Sequence, residues 1–266
     1  MNPIPFLILF LFSFTLHAQP EFSKKALDSY WKDAYPEAIK LATQAIELNK
    51  NDCEAFFVRG ASYKELDDLA LAMNDLLVAV KCDSSNYKGV SALAEVYALY
   101  GDLEMAIRTY SKSIELNKSY YVNYLDRALC KKESGKYDEA AQDLRIALSL
   151  DSTDQEVFGL MGEVHVLLKK YEEAVIYLKK SVELSPNSIN NSMLGIAQAN
   201  FGKYTDAIDS FTRALEFKEA NKAGLHVYIG QMYMYLEKKT EACQEFETGF
   251  KLGDMEGLEF QKKYCK

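Results

Sequence analysis

The chain has 266 residues, of which 48% are hydrophobic and 26% charged, with five prolines and a net charge of −8. That balance excludes a disordered or collagen-like chain. The acidic excess argues against a nucleic-acid-binding surface, because lysines and arginines cluster only in pairs such as Lys131–Lys132, Lys169–Lys170 and Lys179–Lys180.

The first stretch, MNPIPFLILFLFSFTLHAQP, carries no charged side chain, and Ile4 to Leu16 is almost wholly apolar. About 13 apolar residues suit the core of an export signal and are short for a membrane span. Leu16-His17-Ala18 reads as a cleavage site, so residues 1–18 are expected to be a signal peptide and the mature chain to start near Gln19. The usual Lys or Arg before the apolar run is missing. The mature protein is expected outside the cytoplasm, periplasmic or extracellular, with no stable membrane insertion and in a place where disulfides form.

From there the chain repeats itself. YPEAIKLATQAIELNK begins at Tyr35, and related stretches begin at Leu69, Leu103, Tyr137, Tyr171, Tyr204 and Lys239, in steps of 34, 34, 34, 34, 33 and 35. A fixed period of this size marks a stack of one supersecondary unit. The copy at 53–86 shows what the unit is. Phe56, Gly60 and Tyr63 lie four and three apart, as do Ala72, Leu76 and Ala79, which is the one-face pattern of two helices. Asp67-Asp68 breaks them, where other copies place Gly101, Gly135 or Gly202. The predicted units are therefore 19–52, 53–86, 87–120, 121–154, 155–187, 188–222 and 223–254, each helix–turn–helix, with 255–266 as a closing helix.

Small residues recur at the eighth place of the frame, as Ala26, Gly60, Ala94, Ala128, Gly162, Gly195 and Gly230. The twentieth place is always alanine: Ala38, Ala72, Ala106, Ala140, Ala174, Ala207 and Ala242. Large residues recur at the twenty-fourth, as Leu76, Tyr110, Leu144, Leu178, Phe211 and Phe246. Small places facing large ones let helices interdigitate at interior density.

These residues resemble the tetratricopeptide repeat (TPR) family, over about Gln19 to Asp254. The third unit matches its pattern with Ala94, Tyr97, Gly101, Ala106 and Tyr110, and the fifth with Phe158, Gly162, Ala174, Leu178 and Pro186; Ser113 and Ser181 replace the usual alanine. Ala42 and Gly249 are further departures, in the first and last copies, where terminal repeats cap a stack. The resemblance implies an all-α, right-handed superhelical solenoid of about seven repeats, whose first helices line a concave face. It also implies an exported Gram-negative protein that binds a peptide or another protein, with no cofactor. On that face it places Phe57, Glu95, Leu125, Leu129, Lys132, Glu163, Val166, Ile196, Asn200, Val227, Gln231, Met234 and Tyr235. The Lys and Asn set with which some members clamp a C-terminal carboxylate is absent, since Phe57, Ser91 and Leu125 stand at the fifth place and Ala61, Glu95 and Leu129 at the ninth.

No phosphate loop, HExxH or CxxC occurs, and no catalytic or metal site is expected. His165 and His226 take core places of first helices. Cys53 and Cys82 sit at the two ends of one helical hairpin, which meet, and Cys243 and Cys265 join the last repeat to the tail; both pairs are candidate disulfides, with Cys130 left as a free thiol. The reading is a non-enzymatic scaffold, possible roles being envelope assembly, a sensor or regulatory ligand-binding module, or a self-associating repeat protein.

Overall fold

The structure, a computed structural model, describes residues 21–265, and the signal peptide expected at 1–18 lies outside them. Within the described residues the fold is all-α. A first helix, α1 (21–30), precedes α2 (Tyr35–Leu48), α3 (Cys53–Glu65), α4 (Leu69–Cys82), α5 (Tyr87–Leu99), α6 (Leu103–Leu116) and α7 (Tyr121–Glu133). Then follow α8 (Tyr137–Leu150), α9 (Gln155–Leu167), α10 (Tyr171–Leu184), α11 (Ser188–Asn200), α12 (Tyr204–Leu215), α13 (Lys222–Tyr235), α14 (Lys239–Lys251) and α15 (Met255–Tyr264). The chain divides into two compact units, one ending at Ser134 and one beginning at Gly135.

Each turn inside a helix pair is made the same way. Asp33, Asp67, Gly101, Gly135, Lys169, Gly202 and Glu237 all have positive φ, between 57° and 81°. This left-handed residue ends the first helix and turns the chain back. Three copies use glycine, which adopts the conformation freely; four force it on a residue with a Cβ, at a cost of roughly 1–2 kcal/mol each. First helices are started by side-chain caps: Asp52, Asn86, Asp154, Asn187 and Asn221 accept from backbone N–H groups of α3, α5, α9, α11 and α13. Second helices rely more on acidic first turns, such as Asp138-Glu139 and Glu172-Glu173.

In the first unit, α3 pairs with α4 and α5 with α6, and each second helix also touches the next first helix. Ala26, Ala38, Ala42, Ala72 and Leu76 are fully buried there. Gly60 is needed: a Cβ on it would lie 2.9 Å from Leu76 Cγ. The serine that replaces alanine in the third repeat has a partner. Ser113 Oγ donates to the Tyr87 carbonyl at 2.8 Å and accepts from Asn123 Nδ2 at 2.7 Å, while Ser91 Oγ donates to Asn123 Oδ1 at 2.6 Å. Asn123 is fully buried. This chain of hydrogen bonds ties α5, α6 and α7 together in a core that would otherwise be apolar, and every link is satisfied. Arg59 grips the buried Asp75 carboxylate with two bonds, at 2.6 and 2.9 Å, fixing α3 on α4.

In the second unit α9 pairs with α10, α11 with α12 and α13 with α14, and α15 packs on α14. The small-against-large pattern becomes explicit here. Cβ atoms on Gly162, Gly195 and Gly230 would lie 2.4, 2.6 and 2.6 Å from Leu178, Phe211 and Phe246. His165 is buried, its Nδ1 2.7 Å from the Met161 carbonyl and its ring against Tyr177. His226 is only half-buried, with Nδ1 2.6 Å from Glu245 Oε2, so it links α13 to α14 by a polar contact as well as by packing. Gly257 lets α15 close on α14: a Cβ there would meet the Phe246 carbonyl at 2.7 Å and the Phe250 nitrogen at 2.9 Å. No described helix is long and apolar enough to cross a membrane.

Candidate functional site

The first helices of each unit form one face. In the first unit, Phe57 and Leu125 turn out to be 6% and 9% exposed. Phe57 packs toward α5, its ring 3.7 Å from where a Cβ of Gly89 would sit. Frame position alone therefore misplaces these two as contact residues; Phe57 is covered by the neighbouring first helix α5. Leu129 is exposed, and Lys132 is half-buried with its amine 3.0 Å from Glu133. Glu95 holds Lys64, whose amine also lies 2.9 Å from Glu65. Burial alone would push Lys64 down, but the Glu95 and Glu65 carboxylates outweigh it and hold its pKa above the usual lysine value. Aromatic rings surround this charged centre. Tyr30 and Tyr120 both have raised pKa values, caused first by burial, and the Lys88 amine lies 4.8 Å from the ring centre of Trp31. Lys64 stands at the twelfth place of its repeat, like Val166 and Met234, so the sequence carried a signal for it. Tyr120 ends a loop and carried none.

The corresponding face of the second unit is different. Val227 is 2% exposed and packs against Gly249 of α14, so it too is a packing residue. Glu163, Val166, Ile196, Gln231 and Met234 are half-buried, and Asn200 and Tyr235 are exposed. Two recesses lie side by side. One, of about 360 Å³, is formed by Ile196, Ala199 and Asn200 of α11, Tyr204 and Phe211 of α12, and Tyr228, Gln231, Met232 and Tyr235 of α13. The other, of about 440 Å³, is formed by Gln231, Met234 and Tyr235 with Phe246 of α14 and Phe260 and Tyr264 of α15. Tyr235 stacks on Tyr204 with ring centres 4.7 Å apart and planes 8° apart. Phe246, Phe260 and Tyr264 form a second stack, at 5.0 and 6.0 Å. Sequence reasoning missed Tyr204, Phe260 and Tyr264, which reach this face from a second helix and from the closing helix. A third recess in this unit is lined by charged groups, including Lys179, Glu183, Asp206, Asp209 and Arg213.

Cys53 and Cys82 are bonded with Cα atoms 5.5 Å apart, and Cys243 and Cys265 with Cα atoms 5.7 Å apart. The second bond pins the end of α15, and with it the Phe260–Tyr264 wall. Cys130 is a buried free thiol, pushed up to about 11 by burial and then by the nearby Asp126. Among the described residues no group of three or more His, Cys, Asp or Glu side chains is placed to hold a metal ion.

Residues 155–188, one full helix–turn–helix unit, match the family described as tetratricopeptide repeat. The chain is a tetratricopeptide repeat protein. Tetratricopeptide repeat protein 37 of Xenopus laevis is 25% identical over 225 residues, which are 79% of this chain and 14% of that protein. The chain spans 37 to 43% of the length of three further curated relatives. A tetratricopeptide repeat protein from Parabacteroides merdae shares the fold with a TM-score of 0.65 at 17% identity, over 94% of this chain and all of that one. The tetratricopeptide repeat protein YrrB does so with a TM-score of 0.63 at 23% identity, over 71% of this chain and 97% of that one. Tetratricopeptide repeat proteins as a group are interaction scaffolds and generally non-catalytic.

Proposed function

We propose that this tetratricopeptide repeat chain is a non-enzymatic, exported scaffold that holds a peptide or protein partner on the first-helix face, in assembly work at a bacterial envelope. The observation that carries the partner reading is the face of the second unit. Exposed Tyr235 is held rigid by its stack on Tyr204, beside two open recesses. An ordered, exposed aromatic beside recesses walled by further aromatic rings is what binding hot spots are made of. The likeness to YrrB, whose structure is described as having an unusual peptide-binding site, supports the same reading. The two disulfides and the uncharged, apolar leader support export.

Capture from the envelope fraction of the source cells tests the partner. The wild-type chain is compared with Ile189→Glu/Tyr235→Glu, which charges two exposed first-helix residues, of α11 and α13, that are 72% and 64% exposed, and with Ile176→Glu, a second-helix residue 62% exposed. A protein recovered by wild type and by Ile176→Glu but lost with the double variant supports the reading. Recovery by all three places the contact elsewhere, and no specific recovery ends the scaffold reading. Export is tested separately by the intact mass of the protein isolated from its cells: a chain starting at Gln19 is expected, and a chain retaining 1–18 refutes it.

A further inference from the structure

Second helices of the first unit carry charge on the side that faces water, as with Glu37, Lys40 and Glu47 on α2 and Glu104, Arg108 and Lys112 on α6. The exception is α4. It packs on α3 and α5, and its open side shows Ala70, Leu71, Asn74, Leu77 and Val78, with no charged residue until Lys81 in the last turn. Leu71, Leu77 and Val78 are 44%, 45% and 42% exposed. The one carboxylate of the helix, Asp75, is buried and held by Arg59. At 3.6 residues per turn these open positions share about a third of the helix circumference. A continuous exposed apolar strip of this kind marks a contact surface.

The order of residues on that strip names the occupant. Counted outward from Asn74, each side chain has a counterpart at the same distance in the other direction: Leu71 and Leu77, Ala70 and Val78, and, at the two ends, Asp67 and Lys81. A face meant for a different protein has no reason to read alike in both directions. A contact between two copies related by a two-fold axis does, because residue i then meets j and j meets i. Laid antiparallel on α4 of a second copy, with the axis at Asn74, leucine meets leucine and small Ala70 meets branched Val78. At each end Asp67, with Asp68 beside it, meets Lys81. The contact then runs from residue 67 to residue 81, about 21 Å. A parallel arrangement would set Lys81 on Lys81 and Asp67 on Asp67, so charge selects the antiparallel one. Lys81, Asp67 and Asp68 make no ion pair with any described residue and the Asn74 amide makes no hydrogen bond there, so all four are open to such a partner. An amide both donates and accepts, so two Asn74 side chains satisfy each other across the axis and fix the register.

We infer that α4 is the interface of a weak, antiparallel, two-fold dimer of this chain, centred on Asn74. The inference does not rest on the scaffold reading, since α4 is a second helix and the partner face proposed above belongs to first helices.

The test follows the full chain, with both disulfides formed, by sedimentation equilibrium. One helix per copy buries less than a standard interface, so the mass is expected to rise toward that of two chains at about 10–100 µM. Lys81→Glu sets a carboxylate against Asp67 at both ends, and Asp67→Lys/Asp68→Lys sets amines against Lys81. Each is expected to weaken association about tenfold or more. The new lysines suit the turn, because Lys169 and Lys170 hold the same two places in the fifth repeat. Mixing the two variants decides the matter, since in a mixed pair both ends again join opposite charges; association is expected to return to within about threefold of wild type. Leu71→Ser/Leu77→Ser, at exposed positions, is expected to abolish association with an unchanged circular dichroism spectrum. A single-chain mass at every concentration up to about 1 mM overturns the inference. So does association that Lys81→Glu leaves unchanged or that mixing fails to restore. A monomer that instead retains a different protein through Leu71 and Leu77 also overturns it, and assigns the face to that protein.

Discussion

Gly162→Ala puts the packing argument at risk. The new Cβ would lie 2.4 Å from Leu178 Cγ and 2.8 and 3.1 Å from its methyl carbons, where ordinary carbon contacts are about 3.5–4.0 Å. Leu178 is 1% exposed, and the nearest atom is its branch point instead of a free end. Relief therefore needs a shift of α10 from α9 or a strained rotamer, at a cost of about 1–3 kcal/mol. Against this, alanine is the better helix former by about 1 kcal/mol. The single substitution is thus expected to destabilise by about 0–2 kcal/mol, too ambiguous alone. The same substitution on a Leu178→Ala background settles it. With the branched side chain gone, only helix propensity remains, and Gly162→Ala should stabilise by about 1 kcal/mol. The expected result is a change of sign between the two backgrounds, with a coupling of about 1–3 kcal/mol in urea melts followed by circular dichroism. Equal effects in both backgrounds would refute the close approach of α9 and α10.

Three further outcomes follow from particular contacts. Lys169 has φ +59° where Gly202 has +79°, and a Cβ on Gly202 would meet nothing within 4 Å, so conformation alone is at issue. Lys169→Gly should therefore raise stability by about 0.5–1 kcal/mol and Gly202→Ala should lower it by about 1 kcal/mol, and thermal melts that move the other way would contradict the shared turn. Cys243→Ser/Cys265→Ser opens a loop of 22 residues, for which chain entropy predicts a loss of about 3 kcal/mol. In a repeat stack the loss should stay local, so hydrogen exchange should accelerate in 255–264 while α3 is unchanged, and unchanged exchange in α15 would contradict it. Cys130 is raised to about 11, so burial favours its neutral thiol in the folded chain. Its contribution to stability is complete below the unfolded thiol's pKa of about 8.5 and is lost as pH rises from there to about 11. Alkylation at pH 8 should be about two orders of magnitude slower in the native protein than in urea, and equal rates would show that the thiol is not buried.

The parts of the molecule legible in the sequence are those that one repeat can state by itself. A methyl or less at Ala38, Ala72 and Ala106 faces an interface within the same hairpin, so side-chain size and period suffice to read it. The turn is half legible. Gly101, Gly135 and Gly202 announce it, whereas Asp33, Asp67, Lys169 and Glu237 adopt the same backbone against their own preference, because the packed hairpin around them overrides it. The face is the least legible part. Phe57, Leu125 and Val227 occupy face positions by count, but whether such a residue is covered depends on which neighbouring helix reaches it: α5 packs against Phe57, and α14 against Val227. The residue that meets Phe57, Gly89, lies one repeat away, outside the frame of a single copy.

The second unit's recesses lie one step further from the sequence, since Tyr204, Phe260 and Tyr264 come from elements outside the first-helix frame. Their placement gives the cystine at the end of the chain a second effect. A bond that only stabilised α15 could join it to α14 anywhere along its length. Cys265 instead follows Tyr264 directly, so fixing the sulfur also fixes the ring that closes the recess. A wall held covalently keeps its shape without a ligand, and a ligand entering it does not bear the cost of ordering α15. Reduction should therefore weaken binding at this face before it unfolds the stack. The order of those two losses, read by capture of the partner and by circular dichroism across a thiol titration, separates a bond that shapes a site from one that only secures an end.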